Sequence, residues 1–291
     1  MRIVVLSPSL YSETACAMAA RVAEAGHVPV GAMAIRTLDH KTILRKLAQW
    51  GVPAVTGYAR KKILPHARGA GSSLHNPYLE PWLKGRNGTV RSLSEVAAFH
   101  GFPMATCKNQ NAPDSVTRIK EWSPDLIIFA GGDILRKPLL EAPRLGVLNV
   151  HLGWLPQIRG MSSPEWSLLQ NVPVGITIHY IDEGIDTGPV LQRYEFPDCR
   201  RCKSLNDLRH RLVAFGVQKI GEVVNDLDRG TISATPQNDA VRDKQRYKNK
   251  DTQFFVMHRW LQARAAERLN AAYSAIGSSD NRLIAADAEH G

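Results

Sequence analysis

The chain has 291 residues, 44% hydrophobic and 22% charged, with a formal net charge of +10. That balance is the one of an ordinary soluble globule with room for a sizeable core, arranged as one large α/β domain or two smaller ones. Four cysteines are too few for a disulfide framework, and no run of 18 apolar residues is present to span a membrane, so the expected setting is the reducing cytoplasm.

Residues 1–37 read as strand, helix, strand. Arg2–Leu6 is a buried strand rather than a signal peptide, because no small-residue cleavage site follows a long apolar core. Ser12 caps a helix running from Glu13 to about Ala25, Gly26 ends it, and Val28–Ile35 is extended again. The intervening turn, Ser7 to Ser12, has neither a GxGxxG nor a glycine-lysine phosphate cradle, so this βαβ pattern carries no dinucleotide site.

Residues 40–92 are irregular, basic and rich in Gly, Pro and His, as in a long functional insertion with one short helix near Lys41–Trp50. Between Arg60 and Arg91 lie seven basic residues (Arg60, Lys61, Lys62, Arg68, Lys84, Arg86, Arg91) against a single acid, Glu80. A second cluster, Arg242, Lys244, Arg246, Lys248 and Lys250, is diluted by Asp239, Asp243 and Asp251. Such clusters attract phosphate on RNA, on a nucleotide-linked substrate or on a carrier cofactor; a merely solvated basic face is the alternative, and both stay open.

Helices at Ser94–His100, Asp114–Trp122 and Leu135–Leu140 alternate with strands at Met104–Thr106, Asp125–Ala130 and Val147–His151. Ser163 then caps a helix over Pro164–Gln170, strands follow at Gly175–Tyr180 and Val190–Phe196, and Ser204–Asp228 is a long helix. The pattern predicts an amphipathic helix over Thr252–Ile276, with a face for a two-fold contact in a homodimer, and a disordered tail over 277–291. The expected fold is α/β: a mostly parallel, Rossmann-like sheet with helices on both faces. A catalytic domain would cover residues 1–235 and a helical extension 236–276.

Within Val147–His151 the two-residue period puts Asn149 and His151 on one face, at the strand end where open α/β sheets bind ligands. A satisfied core histidine is the competing reading of His151. The apolar strand Gly175–Tyr180 then delivers a glycine-rich loop, Asp182–Pro189, bearing Asp182, Glu183 and Asp186. A carboxylate there is expected to raise the pKa of His151 and make an imidazolium available. Amide and imidazolium would donate to an oxyanion while the carboxylate manages a proton. His179 reads as a core residue or one that supports the catalytic groups, outside the catalytic set. No GxSxG elbow occurs, so direct attack by an amine or water fits better than a covalent intermediate. Cys199 and Cys202 have metal-like spacing, but Cys16 and Cys107 are isolated from them, and no metal is expected.

These residues resemble the folate-dependent formyltransferase family, which includes enzymes acting on methionyl-tRNA, on glycinamide ribonucleotide and on amino sugars. The match runs from about Ser94 to Leu227 and is carried by Pro124–Gly132, Asn149–Gly160 and Asp182–Pro189. The resemblance implies that 10-formyltetrahydrofolate donates a formyl group to a primary amine. It makes Asn149, His151 and Asp186 the catalytic residues. Gly132, Asp133, Ile134 and Leu135, with Ile181, Asp182, Glu183 and Gly184, would be the two backbone edges that hold the pterin. Where the family commonly has Ser-Leu-Leu-Pro, this chain has Gly153-Trp154-Leu155-Pro156. The first loop lacks the purine enzyme's phosphate cradle, and the C-terminal region lacks the alternating strands of the tRNA enzyme's barrel. Both point to a small-molecule amine or an amino sugar, nucleotide-linked or not. Methionyl-tRNA is the alternative substrate, with the basic 60–91 segment as its arm; hydrolysis of the donor and a folate-binding protein without activity are the others.

Overall fold

The computed structural model describes residues 1–36, 75–85, 88–237 and 253–271. The expected helix at Lys41–Trp50, the basic cluster at 242–250, most of the cluster at 60–91 and the tail at 277–291 lie outside them. The chain divides into two compact units, Met1–Asn149 with Val217–Ser233, and Val150–Gly216 with Ala234–Gly291. The divisions fall within the strand Gly146–His151, within the helix Leu205–Asp228, and after Ser233.

The first unit carries β1 (Ile3–Ser7), α1 (Glu13–Glu24), β2 (Gly31–Ile35), β3 (Lys84–Gly85), β4 (Gly88–Thr89), α2 (Leu93–His100), β5 (Met104–Cys107), α3 (Pro113–Glu121), β6 (Leu126–Phe129), α4 (Lys137–Leu140) and most of β7 (Gly146–His151). All five residues of β1 are buried, the continuous apolar run expected of a strand covered on both faces. β1 lies parallel to β2 and β6, β2 to β5, and β6 to β7. Ser12 caps α1 through the Ala15 N–H. The cap of α2 is Ser92, two residues before the Ser94 start read from sequence: its Oγ accepts from Glu95 N–H, and the Glu95 carboxylate accepts from Arg91 N–H and the Ser92 hydroxyl. The described residues of the basic insertion include a 3-10 turn over Pro77–Trp82 and the β3–β4 ribbon.

The second unit carries β8 (Arg159–Gly160), α5 (Ser163–Gln170), β9 (Gly175–Tyr180), β10 (Val190–Glu195), the first half of α6 (Leu205–Asp228), β11 (Gln253–Phe254) and α7 (259–271). Its core gathers Ile176, Phe196, Leu208, Leu212 and Leu269. β9 and β10 are antiparallel. The hydrogen-bonded order of the main sheet is β10-β9-β7-β6-β1-β2-β5, a seven-stranded sheet, mostly parallel, as expected from sequence. The single helix read over Thr252–Ile276 is corrected: Gln253 and Phe254 form β11, parallel to β8, and the helix begins at 259. Trp166 stacks on Phe254 with ring centroids 4.7 Å apart, a tertiary contact that overrides the local helical period.

Candidate functional site

β7 is the strand on which the chain passes from the first unit to the second, and Asn149 and His151 alternate along it as the two-residue period requires. His151 is 6% exposed. Its Nε2 stands 2.8 Å from the Ile158 carbonyl and donates to it. Its Nδ1 stands 3.4 Å from Asp186 Oδ2. A Cβ at Gly153 would lie 2.7 Å from His151 Nε2, so the Gly153-Trp154-Leu155-Pro156 run has glycine where the imidazole occupies the side-chain space. Thr177 fixes that run, its hydroxyl donating to Gly153 O and accepting from Leu155 N–H.

Asp186 has φ 53°, left-handed backbone that a non-glycine residue adopts at a cost of about 1–3 kcal/mol. In that conformation its carboxylate meets three groups. Oδ2 accepts from Gly160 N–H at 2.8 Å and faces His151, while Oδ1 lies 3.5 Å from His179 Nε2. Burial opposes ionisation of Asp186, but His179, His151 and the Gly160 N–H together outweigh it and hold the pKa at about 2. For His151 the balance runs the other way: burial pushes its pKa down, and the charge of Asp186 only partly opposes this. The sequence expectation of a raised His151 pKa is therefore corrected, because the low dielectric around a buried ring outweighs one carboxylate.

His179 is both buried and in contact with Asp186, which fits the supporting role that the sequence left open for it. It is 1% exposed, and its Nδ1 donates to Tyr180 O at 2.8 Å. The available signal was energetic: an imidazole in the otherwise apolar run of β9 is costly to bury without a partner, and the loop that follows carries one. Gln237 had no signal at all, lying outside any periodic segment. It is 3% exposed, donates to Asp186 O at 2.9 Å and Gly188 O at 2.7 Å, and accepts from Arg159.

The two expected backbone edges lie one in each unit. In the first, Asn111 grips residues 134–136, donating to Ile134 O and accepting from Arg136 N–H. Ile134 is 78% exposed, and Leu135 is buried. Gly132 has φ 149°, and an added Cβ would collide with Gln110. In the second, Asp182 Oδ1 accepts from Gly184 N–H and from the Thr187 hydroxyl, closing a tight turn with Glu183 exposed and Ile181 partly buried. A Cβ at Gly184 would collide with Thr187. In each segment a glycine stands where a side chain would meet a neighbouring residue. Among the described residues no group of three or more His, Cys, Asp or Glu side chains forms a metal site. Burial, then the neighbouring Cys199 and Asp207, pushes the Cys202 thiol up to about 12.

Residues 83–224 match the family model described as formyl transferase. The methionyl-tRNA formyltransferase of Geobacter metallireducens is 37% identical over 151 residues, which cover 50% of this chain and 47% of that protein. The chain thus spans about half the length of the curated relatives it matches. Among solved structures, glycinamide ribonucleotide transformylase 1 from Symbiobacterium toebii aligns with a TM-score of 0.51 at 16% identity, over 79% of this chain and 89% of that one. A sugar N-formyltransferase from Shewanella sp FDAARGOS_354 aligns with a TM-score of 0.52 at 14% identity, over 92% and 87%. These two likenesses are of fold.

Proposed function

We propose, for a chain that belongs to the formyl transferase family, that it moves the formyl group of 10-formyltetrahydrofolate onto a primary amine, with Asn149, His151 and Asp186 at the reacting atoms. The observation that carries this reading is the convergence of two buried imidazoles on one carboxylate, Asp186. His151 commits its Nε2–H to Ile158 O, and His179 commits its Nδ1–H to Tyr180 O. The other two nitrogens, His151 Nδ1 and His179 Nε2, both face Asp186. Their separations from the carboxylate, 3.4 and 3.5 Å, are beyond the usual N–H···O length of roughly 2.7–3.2 Å. One added proton converts either contact into a charge-assisted hydrogen bond. The cluster is built to receive the proton that an amine loses as it attacks a carbonyl carbon, and Asp186 is its centre.

The donor supplies an activated formyl carbonyl. Residues 132–135 and 181–184 would hold its ring by backbone edges. Asn149 donates its amide N–H to the formyl oxygen as negative charge develops there, a contribution typically worth about 10²–10³-fold. His151 and His179 orient the carboxylate and share the proton it receives. Among the described residues no serine hydroxyl or cysteine thiol is bonded to His151 or Asp186, which favours direct attack over a covalent enzyme intermediate.

For the amine, the sequence relatives favour an aminoacyl-tRNA, since those matched are methionyl-tRNA formyltransferases. The missing phosphate cradle after β1 favours a small-molecule amine or amino sugar over a ribonucleotide. Incubation with 10-formyltetrahydrofolate and either methionyl-tRNA or a panel of amino sugars, nucleotide-linked and free, separates the two by which amine releases tetrahydrofolate. Full-rate turnover of the donor with no amine present would replace both with hydrolysis.

A further inference from the structure

Arg159 is a partly buried guanidinium that has no counter-ion among the described residues. Among the described residues no carboxylate oxygen forms an ion pair with it. Burial pulls its pKa down, while the charges of Asp186 and Asp182 oppose that pull from beyond ion-pair distance. Both carboxylates are committed elsewhere. Asp186 faces His151, His179 and the Gly160 N–H, and Asp182 closes its own turn.

What fixes Arg159 is neutral. Its Nε and Nη2 donate to Gln237 Oε1, at 3.2 and 2.7 Å. Gln237 is buried and gives both its N–H groups to the Asp186 and Gly188 carbonyls, so its amide is immobilised. The Nη1 end of the guanidinium has no hydrogen-bond partner among the described residues. Arginine is seldom kept out of water without an anion, and its fork matches carboxylate and phosphate geometry. A single amide bridges it to the Asp186 peptide, so a bound anion sits one side chain's span from the proton-accepting carboxylate.

We infer that Arg159, held by Gln237, binds an oxyanion, phosphoryl or carboxyl, that the amine substrate itself carries, and so selects amines with such a group near the nitrogen. The inference rests on the formyl-transfer reading for what happens to the bound molecule, but not for the binding. Calorimetric titration of inorganic pyrophosphate and of malonate into the full chain tests it, on wild type, Arg159→Met and Arg159→Lys, with thermal melts to confirm folding. One anion is expected to bind wild type, about 10–100-fold more weakly to Arg159→Met, and to recover much of its affinity in Arg159→Lys. Pyrophosphate as that anion identifies a phosphoryl-bearing amine, and malonate a carboxyl-bearing one. No binding of either, or equal affinity in wild type and Arg159→Met, overturns the inference. Should Arg159→Met not fold, Arg159→Gln replaces it under the same criteria. With an active amine in hand, Arg159→Met should raise KM for the charged amine and leave that of an uncharged analogue unchanged. Parallel rises would sink the inference while leaving formyl transfer intact. A chain that binds the anion through Arg159 but formylates nothing would do the reverse.

Discussion

The interiors of the two units differ in kind. In the first, the buried polar side chains among the described residues are neutral (Ser7, Asn76, Ser92, Gln110 and Ser115), set into a core of Ile, Val, Leu and Ala. In the second, His151, Glu165 and His179 are all at most 6% exposed. Burying imidazole and carboxylate groups costs stability unless each is partnered, whereas burying a parallel apolar sheet contributes it. The first unit reads as the part that stabilises, and the second as the part that carries chemistry at a cost in stability.

That contrast can be broken by experiment. Asp186→Asn should lower kcat about 10²–10⁴-fold, measured as tetrahydrofolate release. Near-wild-type turnover would remove the carboxylate from the reaction. Arg209→Met leaves Glu165, 1% exposed, with neither oxygen paired, because Oε1 is held by Arg209 and Oε2 has no partner. Urea unfolding should show a loss of about 3–5 kcal/mol, and adding Glu165→Leu should restore most of it. A single mutant as stable as wild type would mean the second unit tolerates bare charge. In the first unit, Leu6→Ala at a fully buried position should cost about 2–5 kcal/mol in the same assay.

The smallest effect is on pH dependence. The folded pKa of His151 lies below its ordinary 6.5, so the unfolded chain binds the proton first. Stability should therefore be flat above pH 6.5 and fall as pH drops from there toward the folded pKa. His151→Gln should make that limb shallower in melting curves taken from pH 7 to pH 4. An unchanged limb would show that the ring is not held neutral.

Sequence made the parallel sheet legible because strands such as β1 are apolar from end to end, a pattern that needs no tertiary knowledge. The alternation in β7 likewise exposed Asn149 and His151, and the glycine-rich loop exposed Asp186. The hidden parts depend on contacts far along the chain. His179 looks like core until Asp186 turns back toward it. Gln237 matters only through the three groups it reaches, and β11 is two residues long with its partner strand at Arg159. The helix start read at Ser94 passed over the Ser92-x-x-Glu95 spacing, which is that of a capping box and was legible in the sequence.

The pairing of β8 with β11 has a consequence for how the protein is made. Gly160, whose N–H holds Asp186, has Phe254 as its strand partner, with Met161 N–H donating to Phe254 O at 2.9 Å. A ribosome adding roughly 5–20 residues per second takes on the order of 5–20 s to travel from Gly160 to Phe254. Until Phe254 is made, the glycine that meets Asp186 lacks its strand partner. The β8–β11 pairing therefore closes only after the Asp186 loop already exists.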